Sequence, residues 1–479
     1  MSTSGESDTI ATDTPADAAP RPSTSTNRRQ PYGAGFLETI STGWAERPEI
    51  APPLREQAPF AAARRSKLSD AFPGQRLVIP SGGLKQRSND TDYPFRAHSA
   101  FAHLTGWASD SEPDSALVFD PREGGGHDVT LYFRERADRT TSEFYADASI
   151  GEFWIGPRPA LGGVAGDLGV DTAHIDDFAT SDDDLVVGED DELTRFVSEL
   201  RLIKDEYELA QLRLAVDVTA KGFEDVIREL PRVIAHPRGE RIVEGVFHQR
   251  ARSDGNTVGY DTIAASGPHA CYLHWTRNDG TVIPGDLILI DAGVEVDSLY
   301  TADITRTLPV SGRFTDVQRK VYETVREAAD AGFAVARPGV KFRAVHEAAM
   351  QVIARRVAEW GLLPVTADEA LDADNGGHHR RYMVHGTSHH LGIDVHDCAQ
   401  ARRDMYYDGV LEPGMVFTIE PGLYFQIDDA TVPEELRGIG VRIEDDVLVT
   451  QDGVENLSGS IPRTADEIEE WMLRLGIGE

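Results

Sequence analysis

Four acidic side chains stand where a charge has no ordinary reason to be. Asp291 ends the apolar run LILID (287–291), and Asp303 sits among apolar and β-branched neighbours in YTADITRT (300–307). Glu420 follows MVFTI (415–419) and precedes Pro421-Gly422, while Glu444 lies within VRIEDDVLV (441–449). Between them runs a loop, HGTSHHLGIDVHD (385–397). With His378 and His379 just before it, this segment holds six of the chain's 15 histidines. Carboxylates converging from different strands can hold two divalent cations about 3.5–4 Å apart, because bridging anions offset the repulsion between the ions. Hard oxygen ligands with a single imidazole suit manganese, cobalt or zinc in a site that keeps open positions. One strand-end carboxylate by itself is ordinarily a surface or turn residue. Four of them, joined by a histidine-rich loop, point to a metal centre. Gly386 and Gly392 allow tight turns or close backbone approach, so that several imidazoles can enter one cleft.

These residues need strands and helices to bring them together. DLILIDAG (286–293), after the turn pair Pro284-Gly285, reads as a buried strand, and MVFTIE (415–420) and VRIEDDVLVT (441–450) read as two more. Thr315 and Gln318 form a capping box before a helix that Pro338-Gly339 stops, and a second helix runs through HEAAMQVIARRVAEW to Gly361. Upstream, ALVFD (116–120) and VTLYF (129–133) are strands. ELRLIKDEYELAQLRLAVDVTAKGFEDVIREL (199–230) carries apolar residues at helical spacing and is expected to end before Pro231. A chain of 479 residues is too long for one core. We expect a disordered tail at 1–35, a mixed α/β domain at 36–200 and a second domain at 201–479, an α+β protein as a whole.

Bulk properties narrow the function. The formal net charge is −34, with no basic patch, which argues against nucleic acid as a partner. No apolar run is long enough to span a bilayer, and the N-terminus lacks a basic start and apolar core, so the expected location is the cytoplasm. Cys271 and Cys398 are too few and too far apart for a thiolate metal cluster, leaving oxygen and nitrogen as ligands.

Taken in order, YLHWT (272–276), the LIDAG and TADITRT pair, HGTSHHLGIDVHD, TIEPGLYF (418–425) and GVRIEDDVLVT (440–450) resemble the catalytic domain of the aminopeptidase P and prolidase family, the pita-bread metallopeptidases. YPFRAHSAFAHLTGW (93–107) is similar to that family's smaller creatinase-like N-terminal domain, and RLIKDEYELAQLRLA (201–215) to the linker helix. The resemblance implies that Asp291, Asp303, His389, Glu420 and Glu444 hold two divalent ions, manganese by first choice with cobalt or zinc as alternatives. It makes Asp303 and Glu444 the bridges, with Asp291 completing one site and His389 with Glu420 the other. The same resemblance implies that a metal-bridging hydroxide attacks the scissile carbonyl, that Glu420 relays the proton and that His274 and His396 donate hydrogen bonds to the developing oxygen. It implies that His385 lines the substrate cleft, and Arg442, two residues before Glu444, is expected to steady that carboxylate within the substrate-binding region. The implied substrates are peptides with proline at the second position, and the implied assembly is a homodimer or homotetramer. Tyr424, Trp275 and His385 are candidates for the wall that meets the proline ring.

One spacing departs from the family pattern. Its two Asp ligands usually stand eleven positions apart, whereas Asp291 and Asp303 stand twelve apart. A bulge or a longer turn around Val296-Asp297-Ser298 is expected to absorb the extra residue. His390 reads as packing, and His378 and His379 receive no role. Two other readings stay open: a prolidase restricted to Xaa-Pro dipeptides, and a metal-free pita-bread binding module.

Overall fold

The computed structural model describes residues 32–48, 52–89 and 91–478. The expected tail therefore falls outside the described residues up to position 31. The chain forms two compact units. The smaller comprises the residues up to 50, 83–95 and 135–161. It contains the helix Ala34–Ile40, the hairpin Gln86–Ser88/Thr91–Asp92 and two single-turn helices, Glu143–Ala146 and Glu152–Ile155. Arg47 ties it together, donating to Glu152 Oε1 at 2.9 Å and to the Ala137 carbonyl at 2.6 Å.

The larger unit comprises 51–82, 96–134 and 162–479. It begins with a five-stranded mixed sheet in the order Asp171–His174, His127–Phe133, Ala116–Pro121, Leu77–Pro80 and Leu185–Val186. Its two central pairings are antiparallel and its two edges parallel. The long helix then runs from Glu206 to Ile234. It starts later than its apolar pattern suggests, because Asp205 and Glu208 form a capping box there. It also continues through Pro231 instead of stopping before it. Pro231 falls in the last turn, where a missing N–H removes a single bond, and the flanking Leu230 and Val233 are fully buried.

Around the site, three small antiparallel sheets carry the chemistry. One has the order Ile304–Pro309, Leu287–Ala292, Ile263–Ser266; a second Val416–Ile419, Asp445–Val449, Val454–Asn456; a third pairs Gly422–Tyr424 with Gly440–Arg442. Leu287–Ala292 and Ile304–Pro309 are buried along their whole length; the first reads as a near-continuous apolar run, whereas the second buries Thr305, Arg306 and Thr307. The helices Asp316–Val335 and Arg343–Glu359 pack on one another beside them, the first with the expected Thr315/Gln318 box. VRIEDDVLVT is not one strand. It breaks at Ile443-Glu444, where the chain leaves the pairing with Gly422–Tyr424 and enters the pairing with Val416–Ile419. No helix among the described residues is long and apolar enough to cross a membrane.

Candidate metal centre

Two antiparallel pairings build the site, each by placing two diagonal neighbours on one face. Asp291 faces Thr305 across the antiparallel pair, and Asp303 lies two residues before Thr305. In a pleated pair, a residue and the diagonal neighbour two positions along the partner strand share a face. Both carboxylates therefore point the same way. On the other side, the loop 387–391 adds to the strand Val416–Ile419. Thr418 N–H donates to His389 O at 2.9 Å, Glu420 N–H to Thr387 O at 2.8 Å, and Leu391 N–H to Val416 O at 3.0 Å. His389 thus faces Thr418, and Glu420, two residues further on, shares its face. His390 faces Phe417 and points away, where its ring stacks on Phe342 with centroids 4.7 Å apart. Glu444 occupies the break between sheets, its N–H donating to Thr305 O at 3.1 Å.

The twelve-residue spacing is taken up in the hairpin turn. Val296 and Tyr300 close a three-residue turn, with Val296 N–H donating to Tyr300 O at 3.0 Å and Leu299 N–H to Val296 O at 2.7 Å. Leu299 adopts φ +70°, the left-handed third position that such turns require. The extra residue never enters the strands, so neither carboxylate is turned over. Gly293 sits opposite Asp303, and a Cβ there would come within 1.7 Å of the Ala302 carbonyl oxygen. Only glycine permits the strands to approach so closely.

All five residues line one cleft of about 460 Å³. His389 Nε2 lies 3.2 Å from Asp303 Oδ2, 3.7 Å from Glu420 Oε1 and 4.0 Å from Glu444 Oε1. Asp303, His389 and Glu444 each offer a ligand atom within 4.8 Å of the others. Burial pushes the Glu420 carboxyl up to about 7, against the opposing pull of His389 and Arg442. Burial and then Asp303, Glu420 and Asp291 raise Glu444 well above the usual carboxylate range. Burial opposes a charge on His389, yet Asp303 and Glu420 outweigh it and raise the imidazole to about 9. Carboxylates crowded this closely and largely buried repel one another, and divalent cations relieve that repulsion. The donor set fits such ions: hard oxygens with one imidazole and no thiolate.

Neighbouring groups hold these candidate ligands in place. Tyr260 Oη lies 2.6 Å from Asp291 Oδ1 and 2.5 Å from Asp303 Oδ1, spanning the pair. Nothing in the sequence GYDT marks this tyrosine. Arg442 is buried and donates to Asp291 Oδ2 at 2.5 Å, Thr305 Oγ1 at 3.1 Å and the Tyr424 hydroxyl at 3.1 Å. Its link to Glu444 runs through Thr305, whose hydroxyl donates to Glu444 Oε2 at 2.7 Å. His385 Nε2 lies 2.8 Å from the Tyr424 hydroxyl, and its Nδ1 3.5 Å from Glu420 Oε2. His274 and His396 are exposed rings on the cleft wall. The His396 ring meets His389 edge-on at 4.3 Å. Trp275 does not line the cleft. Its indole N–H donates to Glu240 Oε2 at 2.9 Å, and Glu240 also accepts from the Ser266 and Gly280 N–H groups, fixing the segment that carries His274.

A buried ion cluster anchors the histidine loop. Asp397 accepts from Arg201 Nε at 2.8 Å and Lys204 Nζ at 3.1 Å, all three side chains almost fully buried. A Cβ at Gly392 would come within 2.1 Å of Asp397 Oδ2, so the cluster depends on that glycine; Gly386 makes no comparable approach.

Comparison with known proteins agrees with this geometry. Residues 210–451 match the profile of metallopeptidase family M24, and 61–192 that of the aminopeptidase P N-terminal domain. The chain belongs to the M24 metallopeptidases. It is 50% identical over 465 residues to Xaa-Pro aminopeptidase 1 of Streptomyces coelicolor, covering 92% of each chain. It is 33% identical to the Xaa-Pro aminopeptidase of Escherichia coli, covering 86% of this chain and 97% of that one. Among solved structures, the low-pH form of E. coli aminopeptidase P superposes with a TM-score of 0.76 at 31% identity, covering 88% of this chain and 99% of that one. The aminopeptidase PepP of Pseudomonas aeruginosa gives 0.75 at 31%, with the same coverage. The M24 chain thus has the aminopeptidase P fold: an N-terminal domain of that type followed by a pita-bread metallopeptidase domain. Membership in a metallopeptidase family implies divalent metal ions, for which Asp303, His389 and Glu444 form a candidate site.

Proposed function

We propose that this M24 enzyme removes the first residue from peptides with proline in second position. Two divalent ions would be held by Asp291, Asp303, His389, Glu420 and Glu444, with manganese the preferred metal. When bound, the ions supply Lewis acidity and make water nucleophilic near neutral pH. Glu420 takes the proton of the attacking water and passes it to the leaving proline nitrogen. His274 and His396, facing the cleft, donate hydrogen bonds to the oxygen on which charge develops. Asp291 anchors the substrate's free amine, which confines cleavage to the N-terminal bond. His385, held by Tyr424, and Arg442, through Tyr424 and Asp291, shape the pocket floor. The observation that carries this reading is the convergence of four carboxylates and one imidazole on a single cleft face, in a chain half identical to a protein called Xaa-Pro aminopeptidase. One related structure is described as bound to the inhibitor Pro-Leu, which favours a site that accepts proline peptides.

The test uses enzyme stripped with a chelator and reloaded separately with manganese, cobalt or zinc. Reloaded enzyme should cleave Xaa-Pro-Yaa tripeptides, stripped enzyme should not, and Glu420→Gln should lower kcat by about 10³-fold. Equal rates on Xaa-Ala-Yaa peptides would refute the proline preference. Cleavage of Xaa-Pro dipeptides alone would make the enzyme a prolidase.

A further inference from the structure

The cleft wall beside the amine site carries an acidic side chain outside the ligand set. Ile263 is the partner of Asp291 across the sheet, so their side chains stand together on the cleft face. Leu273 lines the same cleft and adds to an apolar floor. Two residues before Ile263, Asp261 also lines the cleft; it is exposed and has no hydrogen-bond or ion-pair partner among the described residues. The four ligand carboxylates carry four negative charges, which two divalent ions would match. Arg442 is already engaged with Asp291 and Tyr424. Among the described lining residues, Asp261 is then the carboxylate left without a counter-charge.

We propose that Asp261 makes the enzyme favour peptides whose first residue is cationic, lysine or arginine. This rests on the reading that the first residue's amine lies beside Asp291. A lysine there lays its methylene stem over Ile263 and Leu273 and brings its ammonium group to Asp261 while keeping it hydrated. An apolar first residue uses only the floor, and an acidic one meets repulsion. Because the pair is exposed, the preference is modest, about threefold over leucine, and it weakens with salt.

The experiment measures kcat/KM of the full-length, metal-loaded enzyme on Lys-Pro-Yaa, Leu-Pro-Yaa and Glu-Pro-Yaa peptides. Ratios taken within one sample cancel differences in folding and metal loading between variants. The Lys-to-Leu ratio should fall about threefold in Asp261→Asn and further in Asp261→Lys, which should also raise the Glu-to-Leu ratio. Added salt should shrink the wild-type Lys-to-Leu ratio and leave that of Asp261→Asn flat. Ratios unchanged in both variants would overturn the proposal while leaving Xaa-Pro cleavage intact. Failure of wild-type enzyme to cleave any of the three would instead overturn the functional reading beneath it.

Discussion

Asp291 and Asp303 belong to one hairpin, whereas His389 and Glu420 come from segments far apart in the chain. Both pairs end as diagonal neighbours on one face of an antiparallel pair. The hairpin pair is fixed locally, by strand register and a closed turn. The histidine pair is fixed at a distance, because its loop is held by the Arg201–Lys204–Asp397 cluster from the far side. A site half local and half remote should therefore fail in different ways when each half is disturbed.

The hairpin should be sensitive to register and insensitive to turn length. Exchanging the order of Ala302 and Asp303 keeps the turn length and moves the carboxylate to the opposite face of the strand. We expect metal binding and activity to be lost, measurable by metal content after dialysis. Replacing Asp297-Ser298-Leu299 by Asn-Gly, a two-residue turn that suits a hairpin, leaves the pairing of Asp291 with Thr305 unchanged and should keep activity within a few-fold. Equal damage from both changes would show that the turn does more than connect.

The histidine side should fail through stability. In Asp397→Asn, Arg201 and Lys204 are left buried without their partner, at a cost of about 3–5 kcal/mol measurable by urea denaturation. Burial alone would raise the Asp397 carboxyl, but Lys204 and Arg201 outweigh it and hold the group well below the usual carboxylate range. A depressed folded pKa gives stability that is present above the unfolded value of about 3.9 and is lost as pH falls below it. Wild type should accordingly lose stability with acid below about pH 4 more steeply than Asp397→Asn.

The smallest effect is expected one residue from a ligand. His390 is buried against Phe342 and Tyr406, both ring nitrogens lacking hydrogen-bond partners among the described residues, and burial holds it neutral, its pKa lowered to about 3. His390→Phe should retain activity and change stability by less than about 1 kcal/mol. A large loss of activity would mean that the two histidines are not divided by face as the register implies.

The sequence alone made the cleft carboxylates visible as candidate ligands, because a carboxylate after a run of buried side chains contradicts its surroundings. Asp291, Asp303, Glu420 and Glu444 all stood out in this way. The strands Ala116–Pro121, His127–Phe133 and Leu287–Ala292 were likewise readable from apolar runs bounded by turn residues, and the Thr315 box from its spacing. Tyr260 was not visible, since a tyrosine after glycine looks like any turn. Its role exists only because the sheet brings Asp291 and Asp303 under its hydroxyl. Trp275 pointed elsewhere than its motif suggested, because Glu240, from a separate helix, captures its indole. The break at Ile443-Glu444 was hidden for the same reason: an apolar stretch looks identical whether it pairs with one partner or two. Side-chain type is written in the chain, but which side chains meet depends on register and on contacts between distant segments, and those are decided only when the core closes.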